Sequence, residues 1–327
     1  MTKENKLVKK VKRLLRRLGC PRWLHHFGPK TYEFYEQLCA LLIRFFCRLS
    51  YRRVKQLCDL LGTRCPSKSA LQYTAKKLSA KFWQNVLKAT SPTPYLIAID
   101  STCLSRTNPS YHYLRRIDGK MPQVPIKLSV AFDTRRKKYR AAAVRVLPAH
   151  DIKDAPQLLT ESNAKIAVAD KAYSSENLYR HAAAIGTLLM VPQKRNARHG
   201  LWRITMQRQF KLRTYNRRQI VEASNSSLKR KFGSSVSSKT VRTIRTEVYG
   251  RLACHNLLGR LQRLLGQSRE IIALSLFLEF LGFVFLVLQL RLLLLSIFYP
   301  YLHKNRHESR YLAFQQFSSI RFGDIPL

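Results

Sequence analysis

Acidic residues are scarce in this chain of 327 residues: 18 Asp+Glu stand against 60 Lys+Arg, a formal net charge of +42. This excess of positive charge favours a polyanionic partner, nucleic acid before an anionic membrane surface. The hydrophobic share of 46% is sufficient for a packed core and excludes a disordered basic tail protein. The sequence therefore predicts a folded protein that binds nucleic acid, with about two domains expected from its length.

Cysteine pairs of the Cys-x-x-Cys type are absent, although the chain contains seven cysteines. Their absence argues against a zinc ribbon and against a redox motif, and the odd count fits reduced thiols in the cytosol. The first 17 residues are basic throughout and lack the apolar stretch of a secretory signal. We therefore expect a cytoplasmic protein associated with the nucleoid.

Charge is distributed unevenly along the chain. Residues 1–91 carry 21 basic and 4 acidic side chains, and residues 192–270 carry 19 and 3. Residues 92–191 carry 15 basic side chains but also 8 of the 18 acidic ones. In a chain with so few carboxylates, an acidic residue beside an apolar strand of this middle block calls for a specific reason.

The first block has the pattern of a helical domain. Apolar residues recur at helical spacing over 3–17, 31–48 and 51–62, and again in a helix expected from Ser67 to Trp83. Helix, short turn and capped helix form a helix-turn-helix pattern near residues 51–80. Its second helix would present four side chains to DNA: Lys68, Gln72, Lys76 and Lys77. A plain helical hairpin with solvated lysines is the alternative.

From residue 92 the pattern changes to short apolar strands and helices. Strands are predicted over 95–100, 127–133, 139–147, 164–170 and 187–192, with helices over 154–162 and 175–184. The basic run after Asp133 suits a hairpin turn, and we interpret Asp133 as a turn residue paired with those cations. Residues 193–214 are expected to be irregular. This order of elements predicts an α/β sheet that begins with antiparallel strands.

Two of the predicted strands end in aspartate, at Asp100 and Asp170. Ligands collect at the carboxyl ends of strands, so these side chains are expected to converge. Two neighbouring carboxylates repel each other unless a cation lies between them. Hard oxygen ligands of this kind suit Mg²⁺ or Mn²⁺.

A third carboxylate, Glu222, lies on a helix predicted to begin near residue 215. At 100° per residue, the helix places Tyr215, Arg218, Glu222 and Lys229 within a stripe about 60° wide, beside an apolar stripe. A helix docked by its apolar stripe would point Glu222 along the edge of the sheet. For this helix alone, an i, i+4 ion pair between Arg218 and Glu222 on a solvated face is an equal alternative.

The pattern Tyr-x2-Arg-x3-Glu-x6-Lys, after Asp170-Lys-Ala-Tyr173 and an earlier strand-end aspartate, resembles the DDE transposases of bacterial and archaeal insertion sequences. The resemblance covers about residues 45–260. It implies an α/β ribonuclease H-like catalytic domain over 92–262, a mixed sheet with flanking helices, preceded by an all-α DNA-binding domain over 1–91. The family often has glycine where this chain has Ala172.

The resemblance implies a transposase that binds the terminal inverted repeats of a mobile element and catalyses metal-dependent DNA strand cleavage and strand transfer. Asp100, Asp170 and Glu222 would be the catalytic residues and would hold two Mg²⁺ or Mn²⁺ ions, with Asp100 bridging both. Its partners would be double-stranded DNA, at the element ends and the target, and a second copy of the chain. A catalytically inactive, transposase-derived DNA-binding protein is the alternative.

Further residues would support this site. Arg218 and Lys229 would hold phosphates, and Tyr215 would stack on a base, bond a phosphate or simply pack at the helix start. A second group of residues would lie behind the carboxylates: Tyr173, His150 and Asp151. For the His-Asp pair, a helix cap at Asp151 or Asp154 is the alternative.

The end of the chain differs in composition from the rest. Residues 271–290 form an apolar run with one charge, Glu279, and a second apolar run follows Arg291. The apolar segment over 271–300 is long enough for a transmembrane helix, but both charges are costly in lipid. A packing helix or dimer surface, a membrane anchor and a run-on after a frameshift are all open, and the abrupt change favours the run-on.

Overall fold

The computed structural model describes residues 6–25, 29–60, 64–107, 125–147, 149–193 and 199–258. Residues 1–259 belong to one compact unit. The predicted apolar segment over 271–300 and the tail over 301–327 lie outside the described residues. Within those ranges, no helix is both long and apolar enough to cross a bilayer.

The amino-terminal part is helical, as the apolar spacing predicts. Its helices are α1 (Lys6–Arg17), α2 (Phe34–Cys47), α3 (Tyr51–Leu60), α4 (Lys68–Lys77) and α5 (Ala80–Thr90). The helix α2 begins with a backbone N–H of Glu33 donating to Oε2 of Glu36 over 2.8 Å, which satisfies one free donor of the first turn. Helices α3 and α4 each have one buried apolar face, which includes Val54 in α3 and Leu71 in α4. The other face of each helix is exposed.

The prediction of a single helix from Ser67 to Trp83 is wrong, because the helix is interrupted at Leu78 and Ser79. The predicted cap at Ser67 is confirmed: its Oγ accepts a hydrogen bond from the Ala70 N–H at 3.3 Å. Ser79 repeats this arrangement, since its Oγ accepts from the Phe82 N–H at 3.1 Å and starts α5. Two short capped helices therefore replace one longer helix.

A mixed sheet follows the helices. Its strands are β1 (Leu96–Arg106), β2 (Ile126–Asp133), β3 (Lys138–Arg145), β4 (Ile166–Ala169), β5 (Leu188–Met190) and the short β6 (Ser235–Val236). The spatial order is β3-β2-β1-β4-β5, with antiparallel pairing from β3 to β1 and parallel pairing from β1 to β5. The antiparallel start that the sequence predicts is confirmed, and this topology is the ribonuclease H-like fold.

The β2–β3 hairpin is closed by Asp133, which is buried. Its Oδ1 accepts hydrogen bonds from the N–H groups of Arg135 and Arg136 at 2.9 and 3.0 Å. Its Oδ2 lies 3.4 Å from Nη1 of Arg136. The interpretation of Asp133 as a turn residue paired with the following cations is confirmed.

Helices cover both faces of the sheet. Those after β3 are α6 (Ala155–Ser162), α7 (Glu176–Ala184), α8 (Leu201–Arg208), α9 (Leu212–Tyr215) and α10 (Gln219–Phe232), and α11 runs over 241–258. Because side chains alternate along a strand, Ile97 and Ile99 pack towards α6 and α7. Ala98 and Val168 face the opposite core, which contains Val221 of α10.

The region over 193–214 is more ordered than the sequence predicts, because α8 and most of α9 fall within it. The predicted long helix near residue 215 is interrupted: residues Asn216–Arg218 form one 3-10 turn between α9 and α10. Glu176 fixes the start of α8, since its carboxylate accepts from the Trp202 N–H at 2.9 Å. Apolar spacing alone does not distinguish a 3-10 turn from α-helix.

The helices over 6–90 and the sheet share one hydrophobic core. Leu38 of α2 and Trp83 of α5 belong to the same buried cluster as Val130 of β2 and Leu252 of α11. The division into domains over 1–91 and 92–262 remains a prediction.

A buried charge cluster also joins α2 to α11. The Glu247 carboxylate lies 2.6 Å from Nη2 of Arg251 and 3.9 Å from Nη2 of Arg44, and it accepts a hydrogen bond from the Ser238 N–H at 2.9 Å. All three charged side chains are at most 8% exposed.

Candidate active site

The two strand-associated aspartates lie side by side at one edge of the sheet. Ile99 of β1 pairs in register with Ala169 of β4, and Asp100 and Asp170 are the next residue on each chain. Asp170 ends its strand as predicted, but β1 continues to Arg106, so the prediction that Asp100 ends a strand is wrong. Asp100 lies one residue beyond the end of the β1–β4 pairing and is half-buried.

Helix α10 brings Glu222 towards this pair. Val221 and Leu228 are buried beneath the helix, whereas the Glu222 side chain is 49% exposed. Burial is the main cause that raises the pKa of Asp100, and the charge of Glu222 raises it further. Hydrogen bonds from the Ser101 backbone and from Asn225 act in the opposite direction. The two carboxylates are therefore close enough to repel each other.

Arg218 pairs with one carboxylate of the candidate site and acts electrostatically on the other two. Its Nη1 lies 2.5 Å from Oε1 of Glu222, so the i, i+4 ion pair is formed. Burial alone would lower the pKa of the Arg218 guanidinium. The charges of Tyr215, Glu222 and Asp170 outweigh this effect and raise the pKa. The same side chain also stabilises the charged form of Asp100. The ion pair of the alternative interpretation is therefore present, with Glu222 49% exposed, and Arg218 also acts electrostatically on Asp100 and Asp170.

Asn225 is a site residue that the sequence analysis missed. Its Nδ2 donates a 2.9 Å hydrogen bond to Oδ2 of Asp100, and the residue is 4% exposed. In the described part of the chain its Oδ1 is buried without a hydrogen-bond partner. The signal was available, because Asn225 lies three residues after Glu222 and therefore on a neighbouring position of the same helix face.

A polar network supports β1 from behind. Asp151 pairs with Lys127 of β2. Burial alone would raise the pKa of Asp151, but hydrogen bonds from Lys127 and Ser101 lower it below its usual value. Tyr173 is buried, and burial raises the pKa of its hydroxyl, with the charges of Asp151 and Asp100 adding to this. Asp151 and Tyr173 therefore lie in the neighbourhood of Asp100, and their role in the site stays a prediction.

His150 and Asp154 have other surroundings. The Nδ1 of His150 is 3.5 Å from the Ile152 N–H, at the start of a 3-10 turn over Asp151–Lys153. Asp154 directly precedes α6, but its side chain makes no capping hydrogen bond, so the expectation of a helix cap there is wrong. The carboxylate is buried and bonded to other residues. It accepts a 2.9 Å hydrogen bond from Oγ of Ser129 and pairs with Arg145.

The other two residues of the predicted stripe lie at the ends of the helical segment. Tyr215 is half-buried, with its ring 5.5 Å from that of Phe210 and with Arg218 6.0 Å from its centroid. Tyr215 thus packs within the chain, and its predicted role towards DNA stays a prediction. Lys229 is half-buried on α10, two turns after Glu222.

Helix α4 presents the four side chains predicted to face DNA. Lys68, Gln72, Lys76 and Lys77 are all exposed. Lys77 also donates to the Leu24 carbonyl and lies 5.8 Å from the Tyr73 ring, so part of its hydrogen-bonding capacity is used within the chain.

Among the described residues, no three Asp, Glu, His or Cys side chains are gathered closely enough to hold a metal ion as they stand. Glu222 is bonded to Arg218 instead. The donor types nevertheless fit a hard divalent cation: two adjacent aspartates, a nearby glutamate and the unpartnered Oδ1 of Asn225. A cation bound by Glu222 would have to replace Arg218 as its partner.

This sheet order, with aspartates beside adjacent parallel strands and a glutamate on a later helix, defines a ribonuclease H-like domain with an acidic site. The chain belongs to a transposase family: the family model for the transposase DDE domain matches residues 91–257. This match spans all three carboxylates and confirms the resemblance to the DDE transposases.

Two solved transposase structures are similar to the chain. One is a cryo-EM structure of the piggyBac transposase synaptic complex with hairpin DNA, with a TM-score of 0.42 and 12% identity over 78% of this chain and 72% of that one. The other is the Mos1 transposase paired-end complex with the left transposon end, with a TM-score of 0.22 and 12% identity over 78% and 87%. Both similarities are distant. No curated protein sequence matches the chain significantly.

Proposed function

We propose that this transposase binds the terminal inverted repeats of its mobile element and cleaves and joins DNA strands at Asp100, Asp170 and Glu222. The observation that supports the proposal best is the pairing of Ile99 with Ala169, because Asp100 and Asp170 are the next residues on these two strands. Asp100 and Asp170 would hold divalent cations, together with Glu222 once it leaves Arg218. Two bound Mg²⁺ ions supply an activated nucleophile and a stabilised leaving oxygen.

The protein's own side chains would position the DNA. Arg218, once released by Glu222, carries a planar fork of donors that matches a phosphate, and Lys229 adds a second positive charge along α10. Tyr215 would border the same phosphates from the start of the segment. Helix α4 would read the terminal repeat through Lys68, Gln72, Lys76 and Lys77. Because two element ends are processed together, a homodimer is the expected active form.

The test is cleavage of the element's own terminal repeats in Mg²⁺ or Mn²⁺ by the full chain and by Asp100→Asn, Asp170→Asn and Glu222→Gln. Each variant should lose cleavage by about a thousandfold or more, since about 4 kcal/mol of transition-state stabilisation is removed. Binding to the same DNA should be retained. The matched control is Asp59→Asn, on the exposed surface of α3, which should cleave as the unchanged chain does.

Full cleavage by any of the three variants would remove that residue from the proposed site. An unchanged chain that binds the repeats but cuts nothing would indicate the alternative function, a DNA-binding protein derived from a transposase.

A further inference from the structure

A basic groove lies at the end of the sheet where the parallel strands start, opposite to the end that carries the carboxylates. It is an open groove of about 1060 Å³. Its walls include six exposed cationic side chains, which we call the groove cations: Arg135, Arg136, Arg208, Lys211, Arg213 and Arg217. Among the described residues of the wall, the one acidic side chain is Asp133, which is buried and already bonded within the β2–β3 turn.

Most of the groove cations form no ion pair that holds the described part of the fold together. In the part of the chain that the structure describes, Arg136 is the only one of them in an ion pair with a carboxylate. Six exposed like charges around one groove repel each other, and a bound polyanion would relieve that repulsion. Sites for small molecules are predominantly apolar with a few polar groups, so this lining does not suit one.

The position of the groove relates it to the carboxylate site. The starts of three parallel strands line it, at Leu96, Ile166 and Leu188. Asp100 follows Leu96 by four residues, and Asp170 follows Ile166 by four residues. At about 3.3 Å per residue this is a distance of roughly 13 Å. With phosphates spaced about 3.4 Å along the axis of each DNA strand, this corresponds to roughly four base pairs.

One segment forms part of both sites. Arg213 and Arg217 line the groove, whereas the next residue, Arg218, bonds Glu222. The 3-10 turn over Asn216–Arg218 thus places consecutive arginines on the two sites. A duplex whose scissile phosphate lies at the carboxylates would extend its backbone towards the groove cations.

We propose that this groove binds the phosphate backbone of the DNA duplex a few base pairs away from the cleaved bond. The inference rests on the proposed function, since it takes DNA as the substrate of the same molecule. Contacts of this kind position a duplex without reading its sequence.

The experiment measures binding of a fluorescent mixed-sequence DNA duplex to the full chain at a series of salt concentrations, without divalent metal. The variants Arg213→Gln and Arg217→Gln should each reduce the slope of log affinity against log salt by about 0.9, because each loses one phosphate contact. The control Arg180→Gln removes one exposed charge from α7 that does not line the groove, and should leave the slope unchanged.

Melting temperatures are compared to show that all three variants fold as the unchanged chain does. If the two groove variants keep the slope of Arg180→Gln, the inference is overturned. It is overturned also if they lose affinity for single-stranded RNA but keep it for the duplex. Because no cleavage is measured, failure of the groove leaves the carboxylate proposal standing, and failure of cleavage leaves the groove result valid.

Discussion

Asn225 on α10 holds the carboxylate of Asp100 on β1 through a 2.9 Å hydrogen bond from its side-chain amide. The bond joins the helix that carries Glu222 to the strand that carries Asp100. It also fixes one oxygen of Asp100, while the backbone of Ser101 bonds the same carboxylate. The relative positions of the two acidic residues therefore depend on this contact.

Asn225→Ala should lower the rate of DNA cleavage by about 10- to 100-fold, as is usual when a group that orients a metal ligand is lost. The Mg²⁺ concentration at half-maximal cleavage should rise, whereas affinity for DNA in the absence of metal should stay the same. Asn177→Ala on the exposed surface of α7 is the control. A variant with unchanged metal dependence would show that Asn225 only packs.

Glu247→Gln should lower the free energy of unfolding by about 3 kcal/mol, because Arg44 and Arg251 would be left as buried charges without a carboxylate. Urea denaturation at neutral pH measures the change. The matched substitution Glu161→Gln breaks the partly exposed pair with Lys88 and should cost less than about 1 kcal/mol. Equal losses for the two variants would contradict a stabilising role of the buried cluster.

His255 should make the protein less stable as the medium is acidified. Burial lowers the pKa of its imidazole to about 4, although the Lys137 carbonyl that accepts from Nε2 opposes this. The unfolded chain, with an ordinary pKa of about 6.5, binds the proton first, so stability falls between about pH 6.5 and pH 4. The loss is at most about 3 kcal/mol.

The variant His255→Phe keeps an aromatic ring beside Tyr139, whose ring centroid is 4.9 Å away, but cannot be protonated. Its stability, measured by urea denaturation across this pH range, should decline less steeply than that of the unchanged chain. Parallel curves for the two proteins would exclude His255 as the group responsible.

Helix α4 can be tested for base reading against simple charge attraction. Lys76→Gln should weaken binding to all DNA sequences and reduce the salt slope by about 0.9. Gln72→Ala should mainly reduce the preference for the terminal repeat over unrelated DNA, since glutamine bonds base edges. If neither variant differs from Lys81→Gln on α5, α4 is a solvated helix of a plain hairpin.

Local patterns were sufficient for most of the sheet. The strands that precede Asp133 and Asp170 are apolar and short, and flanking polar residues show where they end. The continuation of β1 beyond Asp100 could not be read in this way. Residues 100–104 continue the pairing with β2, and the last two residues pair with β6 at Ser235 and Val236, more than a hundred residues later. Pairing at that separation leaves no periodic signal in either segment.

The helix breaks were missed for different reasons. Ser79 is a good capping residue, but the apolar spacing continues across it and favours one helix.

The buried contacts of Glu247 depend on Arg44, some two hundred residues away, and no local pattern indicates them. The geometry of Asn225 is of the same kind: its position on the helix was readable, whereas its bond to Asp100 required the sheet and helix to be assembled.

The shared core of the amino-terminal helices and the sheet limits how this transposase can acquire a new recognition sequence. Leu38 and Trp83 are packed in one cluster with Val130 and Leu252, so replacing the helices as a cassette would expose part of the catalytic sheet. Under the proposed function, new element ends would instead be recognised through substitutions among the exposed side chains of α4. Divergence of specificity in this lineage is therefore expected residue by residue rather than by exchange of whole modules.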